Sequence, residues 1–151
     1  MTRMAGALSA LLFWRKKVAE RSPPAESEDW LDAHLRAEAE RAAAAMVDGK
    51  HYTKHIDAVK KLRRAGDETA AEALLLRLIA AIEREAAIPL AGRGMLPSWY
   101  YDQLAVIYRK TGRKDQVPDL MQRRATLSAA AEASGMAALE RMRNECRSSG
   151  R

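Results

Sequence analysis

His51 and His55 stand four residues apart, with Asp48 and Asp57 close by in sequence. On a helix that spacing sets two imidazoles on one face, which is how a pair of metal ligands is presented. A closed ligand set needs more. The only other histidine is His34, and no His-Glu-x-x-His frame exists, so the pair reads as solvated histidines on a helix surface. Cys146, the single cysteine, has no histidine near it in sequence to activate a nucleophile. It reads instead as an apolar residue on a helix face. One cysteine can make no internal disulfide, which points to an intracellular, reducing compartment such as the cytoplasm. Gly92-Arg93-Gly94 follows no strand signal and lacks the Gly-Lys-Ser/Thr ending of a phosphate loop. No nucleophile elbow and no paired catalytic carboxylates stand out, and acidic residues alternate with Lys and Arg as they do on solvated helix faces. Enzymatic chemistry, a metal and a cofactor are therefore not expected.

What remains is charge and its placement. The formal net charge is +6. Residues 1–21 carry Arg3, Arg15, Lys16, Lys17 and Arg21 against Glu20; residues 141–151 carry Arg141, Arg143, Arg147 and Arg151 against Glu145. Those ends contribute +4 and +3, which leaves the body at −1. A nucleic-acid-binding domain more often carries its excess on the folded body.

The N-terminal run Met4–Trp14 is apolar apart from Ser9. It is too short for a membrane span, which needs about twenty residues. No small-residue cleavage site follows it, as a signal peptide would require. On a helix, Met4, Leu8, Leu11, Leu12 and Val18 share a face, with Trp14, Arg15, Lys16 and Lys17 beside it. Such a segment can lie on an anionic membrane surface, pack on the body, or meet a second copy of the chain. A mitochondrial presequence is a further reading, because no acidic residue precedes Glu20.

The elements that would position these groups are helical. Hydrophobic residues make up 48% of the 151 and aromatics only 5%; with abundant Ala, Leu, Glu and Arg this favours an all-α fold with a real core. Arg21–Ser27, with two adjacent prolines, reads as a linker, and Ser27 as an N-cap. The helix from 28 would carry Trp30, Leu31, His34, Leu35, Ala42, Ala45 and Met46 inward and stop at Gly49. A second helix spans about Tyr52 to Ala65, closed by Gly66, and Asp67 caps a third. In that third helix Ala71, Leu74, Leu75, Leu78, Ile79, Ile82 and Ala86 make the chain's best core stripe. Pro89, Gly92, Gly94 and Pro97 mark a loop, Ser98 caps a fourth helix ending at Gly112, and a fifth begins near Lys114. Gly135 is placed to bend or interrupt it, with Met136, Leu139, Met142 and Cys146 on one face beyond. Residues from about Arg147 onward fray. No strand pattern is evident. The expected organisation is a 1–20 apolar and basic segment, a 21–27 linker, a 28–146 helical domain and a 147–151 basic tail.

Tyr101-x2-Leu104-Ala105-x2-Tyr108 followed by Gly112 has the spacing of the first helix of a tetratricopeptide hairpin. His55-x2-Ala58-Val59-x2-Leu62 followed by Gly66 repeats the frame more loosely. The stretch from about His51 to Thr126 resembles the tetratricopeptide repeat family in a degenerate, two-hairpin version. Tyr101 stands in place of the usual tryptophan, Val117-x3-Met121 in place of Ala-x3-Phe, and Ala129 where the family has its proline. The two glycines lie 46 residues apart, against a family period of about 34. The resemblance implies antiparallel helical hairpins with flanking helices as caps, and first helices that line a groove. Carried over by position, the groove presents Thr53, Ile56, Lys60, Arg63 and Arg64 from the first copy. Trp99, Asp102, Val106, Arg109 and Lys110 come from the second.

Each first helix thus ends in a basic pair, suited to an acidic peptide or a C-terminal carboxylate. Basic residues in a last turn also complement the helix dipole with no ligand at all. The function expected is a protein-interaction adaptor with no enzymatic activity. Its rivals are a nucleic-acid-associated protein that uses the basic ends, and a helical self-assembly protein that forms homo-oligomers. Adding zinc or a chelator should leave the melting temperature unchanged; an upward shift of several degrees with zinc would restore the metal reading.

Overall fold

The computed structural model describes residues 25–90 and 95–149. Five α-helices account for most of them: α1 Ala25–Ala44, α2 Ile56–Arg64, α3 Glu68–Ala86, α4 Ser98–Lys110 and α5 Gln116–Ser149. The all-α class read from composition is the class observed.

Helix α3 lies at the centre and touches each of the other four. Its stripe explains why. Ala71, Leu75, Leu78, Ile79, Ala81 and Ile82 are all buried, on more of the helix surface than a two-layer contact would cover. Leu74 and Ala86 of the expected stripe are half-buried at its margin. From α4, Tyr100, Tyr101, Leu104 and Ile107 meet this stripe, with Val59 from α2 and Ala131 from α5. Each large aliphatic side chain so enclosed contributes about 1.5–3 kcal/mol.

The helix boundaries follow local chemistry. After α2, Gly66 takes φ +74°, and its N–H donates to the Arg63 carbonyl at 3.2 Å while the Asp67 N–H reaches the Leu62 carbonyl at 3.1 Å. That pair of bonds is the Schellman closure, which needs a left-handed residue and so favours glycine. Asp67 then caps α3, its carboxylate accepting from the Ala70 N–H at 3.0 Å. Gly112 closes α4 in the same way at φ +80°, with the Arg113 N–H on the Tyr108 carbonyl.

Several expectations are corrected. Helix α1 already includes Ala25–Ser27, so Ser27 does not begin it, and it ends at Ala44. Its inward residues are Trp30, His34, Ala37, Arg41 and Ala44, whereas Leu31, Leu35 and Ala42 are exposed. Arg41 sets that face, donating to the Ile88 carbonyl at 2.5 Å and to Glu85 at 3.3 Å. Gly49 does not end a helix: Met46–Val47 and Lys50–His51 pair as a two-stranded hairpin around Asp48 and Gly49, both at positive φ. Asp-Gly is a favoured pair for such a turn. The segment Tyr52–His55 is 3-10 helix, not the first turn of α2. Lastly, α5 runs through Gly135 without a break and continues to Ser149. Ser98 is the first residue of α4, and Pro97 occupies the cap position without a side-chain bond.

Replacing Gly66 with Ala meets no atom within 4 Å, so only the left-handed backbone is at stake. The expected loss is about 1–2 kcal/mol. Leu75→Ala at the centre of α3 should lose about 2–5 kcal/mol. Urea denaturation of both variants checks the order; a smaller loss at Leu75 than at Gly66 would contradict the central place of α3.

Candidate binding face

Helices α2 and α4 both pack on α3, and their exposed sides adjoin. Tyr52, at the entry to α2, has its ring centroid 5.6 Å from that of Tyr100 in an edge-on contact, and Trp99 stands 5.0 Å from Tyr100 on the other side. Further along, the Arg63 guanidinium donates to Gln103 Oε1. These two contacts join the faces that the sequence nominated. At the second of them lies an open depression of about 250 Å³ lined by Lys60, Arg63, Arg64 and Gln103.

Three of the four lining residues were nominated from sequence, and one was not. Lys60, Arg63 and Arg64 occupy positions i, i+3 and i+4, so a helix necessarily sets them side by side. Gln103 was passed over for Asp102. Its signal is the spacing Trp99–Gln103–Val106, which traces a helix face as well as Trp99–Asp102–Val106 does. Asp102 itself is exposed.

The other nominated residues divide by role. Ile56 and Trp99 are half-buried against the core, and Val106 is half-buried. Thr53 is exposed in the 3-10 segment. The two basic pairs are split. Arg63 and Lys110 converge on one carboxylate: Lys110 donates to Glu68 Oε1 at 2.8 Å, and Arg63 Nε lies 3.8 Å from Glu68 Oε2. Arg63 Nε and Glu68 Oε2 are both buried without a hydrogen-bond partner, a separation just too long for a bond. Arg64 and Arg109 are exposed and unpaired among the described residues. Four free cations were expected at the helix ends; two are held within the fold.

The remaining candidates have settled places. His55 is buried, not solvated, and its Nε2–H donates to the Val47 carbonyl at 2.9 Å, which anchors the hairpin to the 3-10 segment. His51 Nδ1 accepts from the Thr53 N–H at 3.3 Å and lies 2.9 Å from the Thr53 hydroxyl. His34 lies on α1 beside Trp30 and 3.8 Å from Glu38. Among the described residues no three His, Cys, Asp or Glu side chains are grouped to hold a metal. Cys146 is exposed on α5. Leu8, Leu11, Leu12, Trp14, Arg15, Lys16 and Lys17 lie outside the described residues, as do residues 21–24 of the linker, Gly92-Arg93-Gly94 and residues 150–151. No helix among the described residues is long and apolar enough to cross a membrane.

Around this face the ionisable groups of α3 are tied down. The Arg113 guanidinium forks onto both oxygens of Glu72, at 2.7 and 2.5 Å, and sits 4.7 Å over the Tyr108 ring. The Arg113 hydrogen bonds hold the Glu72 carboxyl below its ordinary value of 4.5. Burial, reinforced by Glu83, pushes the Tyr101 hydroxyl well above its usual range, so it stays a neutral donor to Glu83 at 3.1 Å. Burial and Glu85 push Tyr52 up to about 12.

With the geometry in view, the chain was compared with known proteins. No family model, curated protein or solved structure matches it.

Because the folded value of Glu72 is depressed, its contribution is present above the ordinary carboxylate value and lost as pH falls through the folded one. Glu72→Gln should therefore flatten the acid limb of the stability profile below pH 4.5, where the unaltered chain continues to lose stability. Urea midpoints measured across that range would show it. Parallel acid limbs would mean that the Arg113 fork carries no weight.

Proposed function

We propose that this chain is a non-enzymatic interaction module of tetratricopeptide type, which holds an acidic segment of a partner protein against the joined faces of α2 and α4. The observation that carries this reading is the depression lined by Lys60, Arg63, Arg64 and Gln103, where a basic cluster and an amide from two different helices meet at one opening. The half-buried Ile56, Trp99 and Val106 give the same face apolar ground for a partner's side chains. Backbone hydrogen bonds are not required for such docking, since side-chain anchors on a rigid helical face supply both affinity and register.

The hairpin reading has support of its own. Helices α2 and α3 pack on each other, as do α3 and α4, and α4 and α5, so neighbours in sequence are neighbours in space. Tyr101, Leu104 and Ala105, the residues that carry the resemblance, are buried, and Tyr108 is half-buried. The module would work in the cytoplasm, with residues 1–20 as a tether to a membrane surface or a partner.

The structure changes which residues should be altered to test the face. Arg63 and Lys110 share Glu68, so reversing their charge disturbs the fold along with the face. Lys60, Arg64 and Arg109 are exposed and have no partner among the described residues to lose. In the full chain, changing all three to Glu should leave the melting temperature within a few degrees and weaken binding of an aspartate- and leucine-containing peptide by roughly a hundredfold. Equal binding by the two proteins would sink the proposal. Binding of a single-stranded oligonucleotide that survives the triple change and disappears on removing residues 1–22 and 147–151 would favour the basic ends instead.

A further inference from the structure

The depression between α2 and α4 is lined by donors alone. Arg63 Nη1 donates to Gln103 Oε1, and a guanidinium has no acceptor, so the bond fixes the amide with its NH2 group turned from Arg63. Gln103 therefore offers the opening an N–H group, and its one acceptor is engaged. Lys60 and Arg64 add an ammonium and a second guanidinium with no partner among the described residues. No carboxylate is among the lining residues. The nearest carboxylate partner, Glu68, is directed at Lys110 and at the buried Arg63 Nε. Its charge is shared by Lys110 and Arg63, which leaves Lys60 and Arg64 as two cations at one opening with no partner among the described residues.

We propose that the group taken from the partner segment is a phosphomonoester dianion, the side chain of a phosphorylated serine or threonine. This rests on the binding reading above and narrows it. One carboxylate brings a single negative charge to those two cations. A phosphoryl group brings about −1.5 to −2, with three acceptor oxygens and no obligatory donor, which fits a lining made of donors. Arginine forks match phosphate oxygens in pairs, and lysine adds a point charge that tolerates a range of approach. Size agrees with this choice. The depression, at about 250 Å³ and open to solvent, leaves room for a phosphoryl group.

Selectivity follows from the same geometry. A neutral serine hydroxyl offers no charge to Lys60 and Arg64, and its own proton would face more donors. A glutamate fits by sign, but its single charge matches only one of those two cations, where a phosphoryl dianion matches both. The second ionisation of the phosphoryl group, near pH 6, makes affinity rise with pH across a range in which glutamate is already ionised.

The test uses the full chain and three acetylated hexapeptides, Asp-Leu-X-Asp-Leu-Ala, with phosphoserine, glutamate or serine at X, titrated by calorimetry at low salt. The phosphoserine peptide should bind about tenfold more tightly than the glutamate peptide, with serine the weakest. Its advantage should shrink as the pH is lowered from about 7.5 to about 5.5, while the glutamate peptide changes little. Gln103→Glu, which sets a carboxylate in the opening beside Arg63, should remove most of the phosphoserine affinity without lowering the melting temperature. Phosphoserine binding untouched by Gln103→Glu would place the ligand elsewhere and overturn the proposal. Equal affinity for phosphoserine and glutamate, both lost in Lys60→Glu/Arg64→Glu, would overturn the phosphoryl assignment and leave the acidic-partner reading standing. No binding of either peptide at millimolar concentration would overturn both. Inorganic phosphate bound as tightly as the phosphopeptide would make this a small-anion site, which also overturns the proposal.

Discussion

Helix α3 has to satisfy neighbours on nearly every side, and it does so with two kinds of residue. The stripe from Ala71 to Ile82 removes apolar surface from water against α1, α2, α4 and α5. Along its margins stand Glu68, Glu72, Glu83 and Glu85, and each carboxylate is answered from another element. Glu68 is met from α2 and α4, Glu72 from the turn before α5, Glu83 from α4 and α5, and Glu85 from α1. The division of labour follows from magnitudes. Exposed or half-exposed ion pairs contribute about 0–1 kcal/mol, well below the worth of a single enclosed leucine. Burial therefore decides that the helices pack, and the carboxylates decide the rotation at which each one does so.

The candidate face follows from that arrangement. Arg63 and Lys110 come from chain segments more than forty residues apart. They meet because both reach for Glu68, and in doing so they bring the ends of α2 and α4 into register. With those two cations committed to the fold, Lys60, Arg64 and the Gln103 amide are left facing outward around a common space. The helix backbones and Gln103 are held there by interactions with no ligand in them, whereas the exposed Lys60 and Arg64 side chains keep their rotamer freedom.

How much of this was legible in the chain varied with the range of the interaction. Gly66, Gly112 and Asp67 were readable because caps and left-handed turns are decided within a few residues. The stripe of α3 and the Tyr101-x2-Leu104-Ala105 frame were readable because period and side-chain type agree. Grouping of Lys60, Arg63 and Arg64 needed only helical spacing. What escaped was long-range or ambiguous. Gly49 suits a helix stop as well as a hairpin turn, and only the pairing of Met46 with His51 decides it. The inward face of α1 escapes a hydrophobic count, which favours Leu31 and Leu35, while a part-buried contact between Arg41 and the Ile88 carbonyl fixes the rotation. Gln103 and the sharing of Glu68 depend on which helices meet, and spacing along one helix carries no information about that.

Helix α5 has a consequence for motion. At 34 residues it extends about 50 Å, nearly twice the length of α3, so its neighbours cannot cover all of it. Gly135 is its last buried residue, and past it Met136 and Leu139 lie open while side chains to Ser148 are exposed or half-covered. One continuous helix thus spans two regimes of stability. The amides near Leu120 and Leu127 should open only with the core, whereas those beyond Ala138 should open by local fraying of an uncovered helix end. Amide exchange should therefore accelerate along a single element, giving this helix a protected stretch and a shorter fluctuating one with no hinge between them.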